Sequence, residues 1–403
     1  MQVKWLFYVL LICVVFVMPA SIPAEETAIE RTVLFQEETD GIRLFRIPGI
    51  VVTARGTALA YCEARKFTVA DRGEIEIHLR RSTDGGRTWD APRQIAHLGP
   101  RLPRNPHLPE DKRGKDMGGP NEQTVNNPMG IAARDGTVHF VYCVEYMRCF
   151  YMQSEDDGVT WSRPSEITSA FDAFRSQCNW QAIATGPGHG IELQDGRLVV
   201  PVWIATYTDG SSIRKASSVI YSDDAGRTWH AGGIAIVGGG EANVAGLADG
   251  RVMLTARNSD PRDRRAVTFS PDGAGDWSPV EFADELLEPG CMAGLVEYRA
   301  AGDDGRPMHL FSSLHTTERE HKERKDLTIT VSYDGGRTWP VARLLQSGPS
   351  AYSDLAVLPD GSILCFHESG TPKSSKKYKR PWQYSCLVVA KFGSDWLTDE
   401  NER

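Results

Sequence analysis

The sequence predicts an all-β protein assembled from repeated antiparallel sheets. Three observations carry that expectation. Short segments alternate apolar and polar residues at strand period, an eight-residue phrase recurs at intervals, and no long segment has helical periodicity. The recurrences are STDGGRTW from Ser82, SEDDGVTW from Ser154, SDDAGRTW from Ser222 and SYDGGRTW from Ser332, with a worn copy, SPDGAGDW, from Ser270. Their spacing of roughly 50–70 residues suits propeller blades better than small solenoid units.

The chain opens with MQVKWLFYVLLICVVFVMPASIPAEE, one lysine followed by an apolar run and then small and acidic residues. That order describes a secretory leader, residues 1–24, with cleavage between Ala20 and Ala24 and export to the periplasm or medium. The run stops short of the ~20 residues a membrane span needs. No later segment is long and apolar enough to cross a bilayer, so residues 25–403 are expected to form one soluble domain without a stable membrane span. The net charge of −8 disfavours a nucleic-acid partner, which would call for a basic face.

The strands are then legible in order: EIEIHLRRS, GTVHFVYCVEY, GRLVVPVWIATY, SSVIYSD, GRVMLTARN and LTITVSYD. Each is rich in Val, Ile, Thr or Tyr and bounded by Gly or Asp. Within the repeat, Asp84, Asp156, Asp224, Asp272 and Asp334 can accept bonds from backbone amides two residues on, forming an Asx-type turn. Gly86, Gly158, Gly226 and Gly336 supply positive φ where the chain reverses, and the tryptophan buries a large face. The copy at Ser270 has Ala274 and Asp276 in place of glycine and threonine and should be looser. Identical turns spread around a ring are scaffold, because chemistry needs different groups converging on one point.

Of eight cysteines, Cys13 lies in the leader and an odd number remains. No CxxC occurs, which leaves a zinc ribbon or thioredoxin-like motif unsupported. Buried thiols are the expectation; a Cys143–Cys149 disulfide is left open. The histidines lack metal-ligand spacing such as H-E-x-x-H, so neither catalytic zinc nor another cofactor is expected.

The phrase S-x-D-x-G-x-T-W resembles the Asp box of sialidases and related β-propellers. The resemblance implies a six-bladed β-propeller whose Asp boxes lie away from the active centre. Phe45, Arg46, Ile47 and Pro48 match the FRIP motif of sialidases. By that resemblance Arg46 grips a substrate carboxylate. The segment from Arg65 to Asp71 is similar to the family stretch in which the arginine contacts the O4 side and the aspartate is the general acid. GGGEANVAGLADGRVMLTARNSD has the layout that makes Glu241 the general base and Arg257 the second carboxylate clamp. Arg324 stands just ahead of Leu327 and Thr328 in the register of the third clamp, which Arg319 does not. AYSDL resembles the nucleophile strand, with Tyr352 as nucleophile and Glu368 orienting Arg46 from behind. His367 departs from the Y-E of many relatives. The glycines of TGPGHGIELQDGRLVVPVW would shape the pocket rim.

The chemistry fits one reaction. Planar guanidiniums match a carboxylate bidentately, which lysine cannot do. A sialic acid bears that carboxylate on its anomeric carbon, so a neutral phenol approaches it better than an anionic nucleophile, and sialidases are the tyrosine exception among retaining glycosidases. The sequence therefore reads as an exported exo-α-sialidase acting on sialylated glycans. The alternatives are a non-catalytic Asp-box propeller that binds glycans or proteins, a trans-sialidase, for which no aromatic acceptor platform can be placed, and a relative acting on the deaminated sugar acid.

Overall fold

A computed structural model describes residues 29–96, 98–107, 122–207, 212–299, 307–316, 324–371 and 382–398. The leader expected at residues 1–24 lies outside them. Five hydrogen-bonded sheets account for nearly all the regular structure.

Each sheet is built around an antiparallel meander, to which the second adds Gly188–His189, parallel to Val125–Ala132. The first contains Leu44–Val52, Ala58–Arg65, Ile75–Ser82 and Arg93–Gln94. The second runs through Val125–Ala132, Val138–Val144, Arg148–Ser154 and Ser165–Glu166, and the third centres on Ala182–Thr185, Leu198–Ala205 and Lys215–Ser222. The fourth comprises Ala242–Gly246, Val252–Ala256, Arg264–Ser270 and Glu281–Leu287. The fifth has seven strands because Val341–Val357 serves two neighbours: residues 341–349 pair with Lys325–Ser332 and residues 350–357 with Ile363–Thr371. The first described strand, Glu30–Gln36, completes this sheet beside Trp382–Phe392.

Apolar faces join the sheets in sequence. Leu59, Tyr61 and Ile77 of the first pack with Phe140 and Tyr142 of the second, whereas Val141 and Met129 pack with Ile183 and Val200 of the third. Val199 and Val219 meet Val244 and Leu254 of the fourth, whose Met253 meets Leu295 and Phe311 of the fifth. The fifth returns to the first through Phe366 and Val389 against Phe45 and Ile50. The fold is all-β and propeller-like, and its long, fully buried strands are apolar because both faces are covered.

In every copy the repeat's serine is the last residue of a strand: Ser82, Ser154, Ser222, Ser270 and Ser332. Asp84 Oδ1 accepts bonds from Ser82 Oγ and the amides of Arg87 and Thr88, three and four residues on rather than the expected two, because the turn is long enough for its Oδ2 to accept the Thr88 hydroxyl at 2.6 Å. The Thr160 and Thr228 hydroxyls, with the amides of the same residues, hold the carboxyls of Asp156 and Asp224 at about 2. The copy at Ser270 has no threonine to bond, and Asp272 instead takes the amides of Ala274 and Gly275. Its turn is tighter in span, and Arg197 Nη1 bonds Asp272 Oδ2 at 2.9 Å in place of the missing threonine, so the copy is not left looser as expected.

Among the described residues seven cysteines are free thiols, six of them buried. Cys143 and Cys149 face one another across adjacent strands without a disulfide.

Gly226 illustrates why the turn needs glycine. Its φ is +83°, and an added Cβ would stand 2.3 Å from the Tyr151 hydroxyl. That hydroxyl cannot yield easily, being bonded to His139 Nδ1 at 2.7 Å and Gln153 Oε1 at 2.8 Å. Gly226→Ala is expected to lower unfolding stability by about 3 kcal/mol, from left-handed strain plus overpacking. The midpoint of denaturant unfolding measures it.

Candidate active site

The strand ends opposite the repeats carry the chemistry. The eight-residue strand Ile75–Ser82, about 25 Å long, has Asp71 in the loop before it and the Asp84 turn after it. Arg65 ends the preceding strand, Glu241 immediately precedes Ala242–Gly246, Arg257 immediately follows Val252–Ala256, and Arg324 immediately precedes Lys325–Ser332. These residues are distant in sequence but share one face of the molecule.

Arg46 and Tyr352 are tied together from below. The first sheet's register breaks between Arg46 and Gly49, and Ile47 takes φ +60°. Fully buried Glu368 fills the break. Its Oε1 accepts Arg46 Nε at 2.8 Å and the Ile47 amide at 3.1 Å; its Oε2 accepts Arg46 Nη2 at 3.3 Å and the Tyr352 amide at 3.0 Å. One carboxylate thus sets both the FRIP arginine and the backbone of the tyrosine. Burial works against the Arg46 charge, but Glu368 outweighs it and keeps the guanidinium protonated.

Arg65 and Glu63 lie on the same face of one strand, two residues apart. Glu63 Oε2 accepts Arg65 Nη2 at 2.7 Å and Nε at 3.1 Å, while its Oε1 takes the Asn127 amide. Arg65 Nη2 then reaches Asp71 Oδ1 at 2.9 Å, and Arg46 Nη1 lies 3.8 Å from the same oxygen. Neighbouring protein takes part of the water from the Asp71 carboxyl, which favours protonation, but Arg65 and Arg46 overcome this and hold the group at about 2. The side chain is nevertheless 67% exposed, on the open side of the cluster.

Glu241 and Arg257 close a hairpin, the Arg257 amide donating to the Glu241 carbonyl at 2.8 Å. Their side chains meet: Arg257 Nη1 donates to Glu241 Oε2 at 2.8 Å and to the Tyr352 hydroxyl at 3.2 Å. The Tyr352 hydroxyl donates to Glu241 Oε1 at 2.5 Å. Burial pushes the phenol well above its usual value, and the Glu241 charge adds to that; Arg257 and Arg324 offset part of it. Burial opposes the Glu241 charge too, yet Arg257 holds that carboxyl below its ordinary range. The pair rests as phenol and carboxylate, with the proton already aimed at its acceptor.

Arg324 supplies the remaining cation. Its Nη2 donates to the Gly290 carbonyl at 2.7 Å and its Nη1 to the Tyr384 hydroxyl at 3.2 Å. Both acceptors are neutral, so neither cancels its charge. Its guanidinium carbon lies 5.3 Å from the Tyr352 ring centre, and that of Arg46 lies 5.2 Å from the same ring. Arg319, the other arginine of that charge run, lies outside the described residues. The structure therefore brings Arg46, Arg65, Asp71, Glu241, Arg257, Arg324, Tyr352 and Glu368 into one connected cluster. A cavity of about 700 Å³ lined by Arg134, His189, Arg251 and Glu297 includes none of them. Among the described residues no three His, Cys, Asp or Glu side chains gather as a metal site.

Residues 112–365 match the BNR repeat-like domain family. The chain is 31% identical over 355 residues to a sialidase of Micromonospora viridifaciens, covering 85% of this chain and 52% of that protein. It is likewise 31% identical to a sialidase of Bacteroides fragilis, covering 82% and 61%. The chain belongs to the BNR-repeat sialidase family. It spans about half to three-fifths of the length of these curated relatives. Among solved structures, the Hadza microbial sialidase Hz136 superposes on this family member with a TM-score of 0.69 at 27% identity, covering 89% of this chain and 67% of that one.

Several neighbours of the cluster had no signal in the sequence reading. Glu63 could have been found, since a glutamate two residues before a strand arginine shares its face. Tyr146, whose hydroxyl donates to the Asp71 carbonyl at 3.2 Å, sits at a hairpin tip with φ +51°. Tyr384 lies in an ordinary strand, WQYSCLV.

Proposed function

We propose that this chain is an exo-α-sialidase that hydrolyses terminal sialic acid from glycoconjugates with retention of configuration. The observation that carries the reading is the Tyr352–Glu241 hydrogen bond of 2.5 Å with Arg257 on the same hydroxyl, set between Arg46 and Arg324. The three guanidiniums receive the substrate carboxylate in charge-assisted bonds. Tyr352 attacks the anomeric carbon as Glu241 takes its proton. Asp71 protonates the departing glycan oxygen, then deprotonates the water that releases the sugar. Arg65 holds Asp71 and faces the O4 side, and Glu368 fixes Arg46 from behind. Every step uses a group of the chain itself.

The scaffold reading is a six-bladed propeller formed by residues 25–403 as one domain. On this reading four meanders supply four blades, and the change of partner along Val341–Val357 divides the seven-stranded sheet into two more. Residues 1–24 direct export. Incubation with α2,3-, α2,6- and α2,8-linked sialosides, followed by proton NMR, tests the activity. Free sugar is expected first as the α-anomer. The β-anomer first, or no release from any linkage, would overturn the reading.

A further inference from the structure

We propose, on the reading that Arg46, Arg257 and Arg324 hold a substrate carboxylate, that Tyr384 is a positioning residue that sets Arg46 and Arg324 for that anion. Two guanidiniums that must converge on one carboxylate repel each other while the site is empty. Something has to hold both, and their carboxylate partners do not. Glu368 grips Arg46 alone, and Arg324 bonds only neutral oxygens in this cluster.

Tyr384 touches both cations with different parts of one rigid side chain. The Arg46 guanidinium carbon lies 4.0 Å from the Tyr384 ring centre, nearer than the 5.2 Å it keeps from Tyr352. This is close cation–π contact on the ring face. The Tyr384 hydroxyl, at the end of the same ring, accepts Arg324 Nη1 at 3.2 Å. The phenol therefore acts as a spacer of fixed length between them. The ring is itself fenced: Trp382 meets it edge-on at 5.0 Å and 87°, and Trp382 Nε1 donates to Glu37 Oε2 at 3.2 Å. Buried beside Trp382, the ring holds both cations before an anion arrives, which is where preorganisation adds to affinity.

The division of labour within one side chain gives the test. Tyr384→Phe keeps the ring under Arg46 and removes the acceptor of Arg324. Tyr384→Leu removes both. Inhibition constants are measured for a 2,3-unsaturated analogue of the sugar acid and for the same analogue with a carboxamide in place of its carboxylate. Steady-state kinetics and thermal unfolding accompany them. In Tyr384→Phe the acid-to-amide preference is expected to shrink about ten-fold, the order of one hydrogen bond to a charged group. Its amide affinity should stay as in the wild type, and KM should rise by about the same factor with kcat within about three-fold, as for lost uniform binding. Tyr384→Leu should lose about ten-fold more of the preference and also lower kcat. An unchanged acid-to-amide preference in Tyr384→Phe, or equal loss of both affinities, would overturn the positioning role. A wild-type protein that binds acid and amide alike would instead overturn the carboxylate clamp itself.

Discussion

Tyr352→Phe is expected to lower kcat for release of sialic acid by at least about a thousand-fold, the scale of losing a covalent nucleophile, while leaving substrate binding nearly intact. The separation of the two effects follows from what the side chain does in each state. Its ring is the surface over which the guanidiniums of Arg46 and Arg324 lie, at 5.2 and 5.3 Å. Phenylalanine keeps that surface. Its hydroxyl is the only part that reaches Glu241 and Arg257, and removing it leaves those two still paired at 2.8 Å, so no buried charge is stranded. The variant should therefore fold normally and bind the unsaturated acid within a few-fold of the wild type. Activity within ten-fold of the wild type would show that Tyr352 is not the attacking group. Glu241→Gln separates base from nucleophile: it keeps a neutral acceptor for the phenol but cannot take up the proton, so its kcat should fall while Tyr352 remains in place.

The scaffold was largely legible from the sequence because it is local. An aspartate whose bonds go to amides three and four residues ahead leaves its signature in eight letters, and each copy ends a strand as expected. The cluster was legible only through the resemblance. Nothing in the run RLFRIP indicates that Arg46 meets Glu368, 322 residues away, and periodicity places Arg324 in a solvated charge run although it is buried. Tyr384 escaped altogether, because a tyrosine alternating through an apolar strand looks like packing until its neighbours are known. The unexpected detail at His367 also has a physical outcome. Burial takes that imidazole down to about 4, so it is neutral beside Glu368 and leaves the glutamate's grip on Arg46 undisturbed.

Asp71→Asn should separate substrates by their leaving groups. A departing sugar alkoxide needs a proton, so kcat/KM on a natural sialoside is expected to fall by about 10²–10⁴-fold, the range for general acid catalysis. An aryl sialoside leaves as a stable phenolate and should lose less than about ten-fold in the glycosylation step. The resting charge of the cluster makes a second, independent demand. Four guanidiniums (Arg46, Arg65, Arg257, Arg324) stand among four carboxylates (Glu63, Asp71, Glu241, Glu368), with Asp71 ionised because its carboxyl lies at about 2. An arriving substrate carboxylate adds one negative charge and offsets Arg46, one of the two arginines that hold Asp71 down. Its carboxyl must then move upward, so that binding takes up a proton at every pH between the free and bound values. The sign is fixed: affinity for the anion weakens as pH rises through the bound-state value, because the proton is then absent from the complex. Calorimetric titration with the unsaturated acid in two buffers of different ionisation heat counts that proton directly. The wild type should take up a substantial fraction of one proton below the bound-state value and Asp71→Asn none. Equal uptake by both proteins would remove Asp71 from the role of acid, whatever its effect on the rate.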